Sequence, residues 1–362
     1  MYNGPIKKMH LEITNRCNAA CPACPRTGDF KGKLAGHMAM SGWHDLTLSD
    51  IKEIHKEVPT LKEVNLCGNF GDPAAAPDFF KIVNYFADNN IRVIISTNGG
   101  PRTPKAWASI ARPGVKAQFH IDGDEDTNHI YRINVKWNKL QENFRAFLSS
   151  GGYGYWQFIY FNHNKHQEKE VNQRSIDEGF AGMKWRGGQA HEYSKTEIKP
   201  TEIGKFKGKE KVDLVKINKI KKDKKLNKDE IIEKLEASGN DKWDVREVVN
   251  EPKVKHEISC KAMLGYEVKE QFSRLYVTYH GWVIPCCWWG TQLELDNVYN
   301  TYSTDIDSHK LNGKNSFEEI LKSSWFTDVH EYIQTQQPGT CVSHCKDNVY
   351  SKISTRINAE TS

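Results

Sequence analysis

The feature that most constrains the fold of this chain is a regular alternation of strand-like and helix-like segments. Apolar or alternating runs predict strands at 7–14, 63–68, 92–97, 116–122, 155–161 and 182–186. Helix-like segments lie between them, at 50–57, 78–88, 104–111, 136–149 and 167–178. Ser49 is the expected N-cap of the first helix, and Pro77 precedes the second. Six such units predict an α/β fold whose parallel sheet is either open or curled into part of a barrel, with reactive groups at the carboxyl ends of its strands.

The overall composition is that of an ordinary globular protein. Of the 362 residues, 38% are hydrophobic and 27% are charged. No apolar run approaches the roughly 18 residues that a membrane span requires. The N-terminal segment lacks the apolar region of a secretory signal. We therefore expect a cytoplasmic protein, in which clustered cysteines bind metals or take part in catalysis.

The composition changes after the sixth predicted strand. Residues 205–230 are rich in lysine and interrupted by aspartate and glutamate, which is typical of a solvated connector. A basic arm for RNA is the alternative, although Phe206 is the only aromatic residue there that could stack on a base. The net charge of +5 is too small to indicate nucleic acid by itself.

The C-terminal part has the pattern of a second, smaller module. Residues 274–289 alternate like a strand, turn at His280 and Gly281, and return, which predicts a β-hairpin. A helix-like segment follows at 316–334. The expected organisation is a barrel at 1–190, a lysine-rich connector at 191–258 and a small module at 259–362.

Three cysteines follow the first predicted strand in a C-x3-C-x2-C array, namely Cys17, Cys21 and Cys24. Thiolates are soft ligands that select zinc, copper(I) or iron–sulfur clusters. Three of them can bind three irons of a [4Fe–4S] cubane and leave the fourth iron open for a small molecule. A zinc site completed by His10 or by a distant ligand is the alternative. Cys67 stands alone on the second strand and is expected to be a small buried hydrophobe.

The array and its position after the first strand resemble the radical S-adenosylmethionine (SAM) superfamily, over roughly residues 7–187. The resemblance implies an incomplete (β/α)6 TIM-like barrel and a [4Fe–4S] cluster whose open iron binds the amino and carboxylate groups of SAM. Reductive cleavage of SAM then yields a 5′-deoxyadenosyl radical that abstracts hydrogen from a substrate. The electron comes from a donor such as flavodoxin or ferredoxin. The superfamily commonly has an aromatic residue before the last cysteine, where this chain has Ala23.

Segments after the later strands resemble the SAM-binding segments of the same superfamily. The residues to which the resemblance gives a cofactor contact are Gly68, Asn69, Gly71, Asp72, Ser96, Asn98, Asp122 and Arg132. Within this set, residues 67–73 would meet the amino group of SAM, and Arg132 would pair with its carboxylate. Residues 158–167 would border the adenine. No catalytic acid or base is assigned, although His120 and His163 lie at strand ends that face the expected cavity.

The C-terminal cysteines resemble the SPASM/Twitch extension of this superfamily. A full SPASM domain has seven cysteines, and only five occur here, which favours a shortened, Twitch-like module. The resemblance implies one auxiliary [4Fe–4S] cluster bound by Cys260, Cys286, Cys341 and Cys345. Cys287 could replace Cys286, and zinc is again the alternative metal.

The resemblance therefore implies a radical SAM enzyme that oxidises or cross-links a small polar metabolite or a peptide side chain. The auxiliary cluster would accept an electron from the substrate radical. Because the predicted barrel begins by residue 7, no N-terminal peptide-recognition domain is expected. Two alternatives stay open: a radical SAM enzyme that modifies RNA through the basic connector, and a zinc-stabilised binding protein without enzymatic activity.

Overall fold

The residues that the structure describes carry the predicted barrel and part of the C-terminal segment. The computed structural model describes residues 6–21, 24, 43–161, 163–186, 274–284, 287, 311 and 315–324. The predicted connector lies outside them, as do Cys260, Cys286, Cys341 and Cys345. None of the helices in the described ranges is both long and apolar enough to cross a membrane.

Strands and helices alternate along the barrel segment as predicted. The strands are β1 Lys8–Leu11, β2 Glu63–Leu66, β3 Arg92–Thr97, β4 Val115–His120, β5 Tyr153–Ile159, β6 Met183–Arg186, β7 Arg274–Val277 and β8 Val283–Ile284. The α-helices are α1 Leu48–Glu57, α2 Phe79–Asp88, α3 Pro104–Ala108, α4 Asn128–Tyr131, α5 Trp137–Ser149, α6 Glu168–Asp177 and α7 Phe317–Lys322. Single 3-10 turns at Pro73–Ala75 and Lys165–Gln167 precede α2 and α6. Among the helices of the described ranges, only the short α4 was not predicted.

The described strands form one sheet in the order β6-β5-β4-β3-β2-β1-β7-β8. Every neighbouring pair from β6 to β7 is parallel, and β7 pairs with β8 in antiparallel fashion. The predicted incomplete (β/α)6 barrel is thus confirmed. The predicted hairpin also forms, with Gly281 at a φ of +81° in its turn. Its first strand extends the barrel sheet, because Leu275 of β7 lies beside Met9 of β1.

The two faces of this sheet differ in polarity. On one face, apolar side chains such as Met9, Val64 and Val93 are at most 1% exposed. The opposite face is mostly polar and carries His10, Asn65, Ser96, Gln118 and Gln157. A parallel sheet that is buried on both faces is normally apolar on both. The polar face therefore lines the interior of the partial barrel.

The start of α1 differs from the prediction. Thr47, and not Ser49, is the N-cap, because its side chain accepts a hydrogen bond from the Asp50 amide. The Asp50 carboxylate in turn accepts from the Thr47 amide at 2.7 Å, which completes a capping box. Ser49 then lies in the first turn of the helix. The pattern Thr-x-x-Asp outweighs a lone serine because it satisfies amides in both directions.

Candidate cluster and cofactor site

The three cysteines of the array lie on the loop that leaves β1. Cys21 is buried, whereas Cys17 and Cys24 are partly exposed. The Ala19 amide lies 3.4 Å from the Cys17 sulfur, and the Cys24 amide donates to the Cys21 carbonyl at 3.0 Å. Burial raises the pKa of the Cys21 thiol to about 11. A thiolate at this position therefore needs a positively charged partner, which a bound metal provides.

The glycine-rich segment after β2, residues 67–73, packs directly on the cysteine loop. A Cβ atom on Gly71 would lie 1.8 Å from the Thr14 carbonyl oxygen, and one on Gly68 would lie 2.1 Å from the Gly71 carbonyl oxygen. The Asp72 amide donates to the Arg16 carbonyl at 2.8 Å. Neither position has room for a side chain, because Gly71 lies against the backbone at Thr14 and Gly68 lies against the backbone of its own segment.

Asp72 ties this segment to the end of β3. Its carboxylate accepts hydrogen bonds from the Ala74 amide at 2.9 Å, the Thr97 hydroxyl at 2.8 Å and the Asn98 amide at 2.7 Å. Burial raises the pKa of this carboxyl, and these donors oppose the shift. Asp72 thus holds two loops together with oxygens that protein donors already occupy, and its direct contact with SAM stays a prediction.

Ser96 and Asn98, at the end of β3, have different neighbours. The side-chain nitrogen Nδ2 of Asn98 lies 3.6 Å from the Cys17 sulfur and donates to the Asn18 side-chain oxygen at 2.9 Å. The Ser96 hydroxyl forms a hydrogen bond with the thiol of Cys67, whose pKa burial raises to about 12. Cys67 therefore does not sit in the expected apolar environment, because it follows the end of β2, is partly exposed and has the Ser96 hydroxyl as a neighbour.

Arg132 connects the loop after β4 to the cysteine loop. Its Nε donates to Asp122 at 2.7 Å, and its Nη1 lies 3.7 Å from the Cys21 sulfur. Its Nη2 is buried without a hydrogen-bond partner among the described residues. Asp122 is fully buried and also accepts from the Ile159 amide at 2.7 Å. Asp122 thus positions the guanidinium, and the contact of Arg132 with the carboxylate of SAM stays a prediction.

An aromatic stack lies next to Arg132. The ring centroids of Tyr131 and Phe161 are 4.4 Å apart, and those of Phe161 and His163 are 5.3 Å apart with nearly parallel planes. Phe161 and His163 belong to the segment predicted to border the adenine. Phe161 is 1% exposed and Tyr131 is 8% exposed, so the stack is largely buried. Its contact with the adenine stays a prediction.

The donor set fits an iron–sulfur cluster with one open iron. Three thiols share one loop, and side-chain nitrogens of Asn98 and Arg132 approach two of the sulfurs. Hydrogen bonds to sulfur tune such clusters. In the described part of the chain, no three His, Cys, Asp or Glu side chains are grouped to hold a metal ion. A single zinc ion needs its ligands to converge on one atom, whereas the cysteines of a cubane each bind a different iron.

The comparison with protein families decides the class of this site. Residues 11–170 match the family model of the Radical SAM superfamily. They form a radical SAM domain. This span contains the three cysteines and every residue that the sequence predicts to contact SAM. The predicted membership of the radical SAM superfamily is therefore confirmed for this domain.

Curated relatives resemble only part of the chain. An AdoMet-dependent heme synthase of Methanosarcina barkeri is 30% identical over 130 residues, which are 36% of this chain and 34% of that protein. Mycofactocin maturase MftC of Mycobacterium tuberculosis is 30% identical over 118 residues, which are 31% of this chain and 26% of that protein. The chain thus spans about a third or less of the length of these relatives.

A solved structure shares the fold over a longer stretch. The crystal structure of Streptococcus suis SuiB bound to precursor peptide SuiA matches with a TM-score of 0.54 and 12% sequence identity. The match covers 91% of this chain and 67% of SuiB. At this identity the likeness shows the fold alone, and it agrees with the partial barrel of the radical SAM domain.

His163 makes the stability of the radical SAM domain depend on pH. Burial, together with nearby His129 and His166, lowers its pKa from 6.5 to about 4. The unfolded chain therefore binds an extra proton between these values, so this stabilisation is present above pH 6.5 and is lost as pH falls toward 4. Because the side chain is only partly buried, we expect a loss of about 1 kcal/mol between roughly pH 7 and 5. Urea unfolding at pH 7 and pH 5 should show a loss that is about 1 kcal/mol larger in the wild type than in His163→Phe, and an equal loss in both would contradict it.

Sequence reasoning missed Glu12 and Tyr276. Glu12 is 1% exposed, and its Oε1 accepts hydrogen bonds from the Phe70 amide at 2.7 Å and the Gly71 amide at 3.1 Å. The Tyr276 hydroxyl donates to its Oε2. A carboxylate inside the apolar run "LEIT" was a usable signal for Glu12. Nothing in the sequence pairs it with Tyr276.

Proposed function

We propose that this protein is an enzyme that holds a [4Fe–4S] cluster on Cys17, Cys21 and Cys24 and carries out SAM-dependent radical chemistry. The observation that carries the proposal is the cysteine loop of a radical SAM domain, enclosed by the loops that follow β2, β3 and β4. When bound, the cluster and SAM supply a 5′-deoxyadenosyl radical for hydrogen abstraction from a substrate.

The chain's own residues hold and tune the cluster. The amide of Ala19 and the side chain of Asn98 face the Cys17 sulfur, and Arg132 faces the Cys21 sulfur. A positive charge and hydrogen-bond donors at thiolates stabilise their negative charge and keep them available as ligands. These contacts support ligation of the cluster by the cysteines of this loop.

Other residues of the same edge bind and orient SAM in this proposal. Backbone carbonyls of residues 68–71 accept hydrogen bonds from its amino group, and Nη2 of Arg132 donates a hydrogen bond to its carboxylate. Asp72 and Asp122 position these two elements through their own hydrogen bonds. The aromatic stack that begins at Tyr131 borders the adenine.

The substrate is a small polar metabolite or a peptide side chain. The polar face of the sheet supports this class, because polar side chains such as Gln118 line the inside of the barrel. The relatives named a heme synthase and a mycofactocin maturase point to different substrates and do not choose between the two.

The auxiliary cluster is part of the proposal. Its ligands are Cys260, Cys286, Cys341 and Cys345, with Cys287 as the replacement for Cys286. Four cysteines would complete the coordination of a cubane, which suits electron transfer. Cys287 is described, and its carbonyl accepts from the Asn69 side chain at 2.8 Å. A one-electron donor such as flavodoxin or ferredoxin completes the set of partners.

Anaerobic reconstitution tests the proposed function. Iron and sulfide are counted, dithionite and SAM are added, and 5′-deoxyadenosine is measured. About eight irons per chain with deoxyadenosine formed support both clusters, and about four with deoxyadenosine support the first cluster alone. Bound zinc without cleavage of SAM would favour the zinc-stabilised binding protein instead.

A further inference from the structure

The C-terminal hairpin reaches the glycine-rich segment of the radical SAM domain through Tyr276. This side chain is 1% exposed, and its hydroxyl donates to the buried carboxylate of Glu12. The other oxygen of Glu12 accepts from the Phe70 and Gly71 amides. The same hydroxyl accepts a hydrogen bond from the Asn69 side chain at 3.2 Å. One tyrosine oxygen therefore contacts the segment by two routes.

The sheet fixes the position of that oxygen. Strand β7 runs parallel to β1 with Tyr276 beside His10, and the Glu12 amide donates to the Val277 carbonyl at 2.9 Å. The rings of His10 and Tyr276 meet edge to face with centroids 4.8 Å apart. Backbone pairing and ring packing together leave the side chain little freedom, so it can act as a rigid support for its partners.

The carboxyl group of Glu12 depends on this support. Burial raises its pKa to about 7, and the tyrosine hydroxyl and the segment amides oppose that shift. A buried polar group that loses a hydrogen-bond partner is destabilised and adjusts its position to find another. Loss of the tyrosine hydroxyl would therefore disturb the anchor of the Phe70 and Gly71 amides.

We propose that Tyr276 is a positioning residue for SAM. Through Glu12 and Asn69 it holds residues 68–71 in the conformation that receives the amino group of the cofactor. A hairpin residue 264 positions away from Glu12 in sequence thereby becomes part of the SAM site. This inference rests on the proposed function, because it assumes that the segment binds SAM.

The test compares Tyr276→Phe with wild type in equilibrium dialysis of labelled SAM, on anaerobically reconstituted full-length protein. We expect the Kd for SAM to rise by about tenfold or more, as for loss of a hydrogen bond to a charged group. Iron content should stay unchanged, and KM for SAM should rise more than kcat falls. The matched control is Tyr153→Phe, because the Tyr153 hydroxyl lies on β5 and contacts only Tyr155 in the described hydrogen bonds. An unchanged Kd in Tyr276→Phe would overturn the inference.

A second pair of variants decides the matter if Tyr276→Phe loses iron. Glu12→Gln keeps an acceptor for the loop amides, and its amide nitrogen can donate to the tyrosine hydroxyl, so we expect near-normal SAM affinity. Glu12→Leu removes the acceptor for the loop amides and the partner of the tyrosine hydroxyl at similar side-chain size, and it should weaken SAM binding as Tyr276→Phe does. Equal affinity of Glu12→Gln and Glu12→Leu for SAM would contradict the inference. Wild-type protein that binds iron but no SAM would instead refute the proposed function, which separates the two failures.

Discussion

Replacement of Cys17 by alanine is expected to abolish 5′-deoxyadenosine formation and to lower the iron content of the protein. Cys17 is one of three thiols on the loop after β1, and it receives donors from Ala19 and Asn98. Loss of a hydrogen bond around a metal site lowers metal affinity or activity by roughly 10- to 100-fold. Loss of a direct ligand should lower both by more than that. Reconstituted variant and wild type are compared by iron analysis and by deoxyadenosine release under dithionite.

The matched control for this experiment is Cys67→Ala. Cys67 directly follows β2 in the same barrel, its thiol contacts Ser96, and it is not one of the proposed ligands. We expect this variant to keep the iron content of the wild type. Iron content is the readout of this control, because residues 67–73 are predicted to meet SAM. Full activity in Cys17→Ala would contradict the assignment of the cluster to this loop.

Replacement of Gly71 by alanine is expected to produce the second large effect. The added Cβ would lie 1.8 Å from the Thr14 carbonyl oxygen, so the backbone of the glycine-rich segment must move away from the cysteine loop. Overpacking of this kind costs about 1–3 kcal/mol of stability. A displacement of about 1 Å at a binding segment can cost on the order of 100-fold in rate. Urea unfolding and SAM cleavage are measured on the same preparation.

Gly151→Ala separates crowding from backbone conformation. Gly151 has a φ of +87°, yet a Cβ there would meet nothing within 4 Å. This change should cost about 1–2 kcal/mol for the left-handed backbone alone and should leave SAM cleavage intact. Equal rates of SAM cleavage in Gly71→Ala and Gly151→Ala would show that the close contact between Gly71 and the Thr14 carbonyl does not matter for function.

Much of the barrel could be predicted because its strands and helices follow local patterns. All six predicted barrel strands formed, and α2 begins just after Pro77, with Asp78 as its N-cap. The hairpin turn at Gly281 was also visible, since a left-handed residue in a tight turn favours glycine. Local sequence determines such features. By contrast, the choice of Thr47 over Ser49 as N-cap depended on a reciprocal hydrogen bond with Asp50.

The candidate site was only partly predictable, because its geometry depends on contacts between distant segments. The cysteine array and Arg132 could be recognised, but the pairing of Arg132 with both Asp122 and the Cys21 sulfur required the fold. The pairing of β7 with β1 placed Tyr276 against Glu12, and no local pattern encodes that neighbour. Residues predicted to contact SAM proved to include carboxylates that mainly hold loops together.

Electron–nuclear double resonance of the reduced protein, with SAM labelled with ¹⁷O in its carboxylate, tests directly whether SAM binds the open iron of the cluster. We expect a reduced [4Fe–4S] signal that shows coupling to the ¹⁷O label, because in the proposed site one iron of the cluster on Cys17, Cys21 and Cys24 is open to SAM. A reduced cluster whose signal shows no coupling to the label, and does not change when SAM is added, would contradict it.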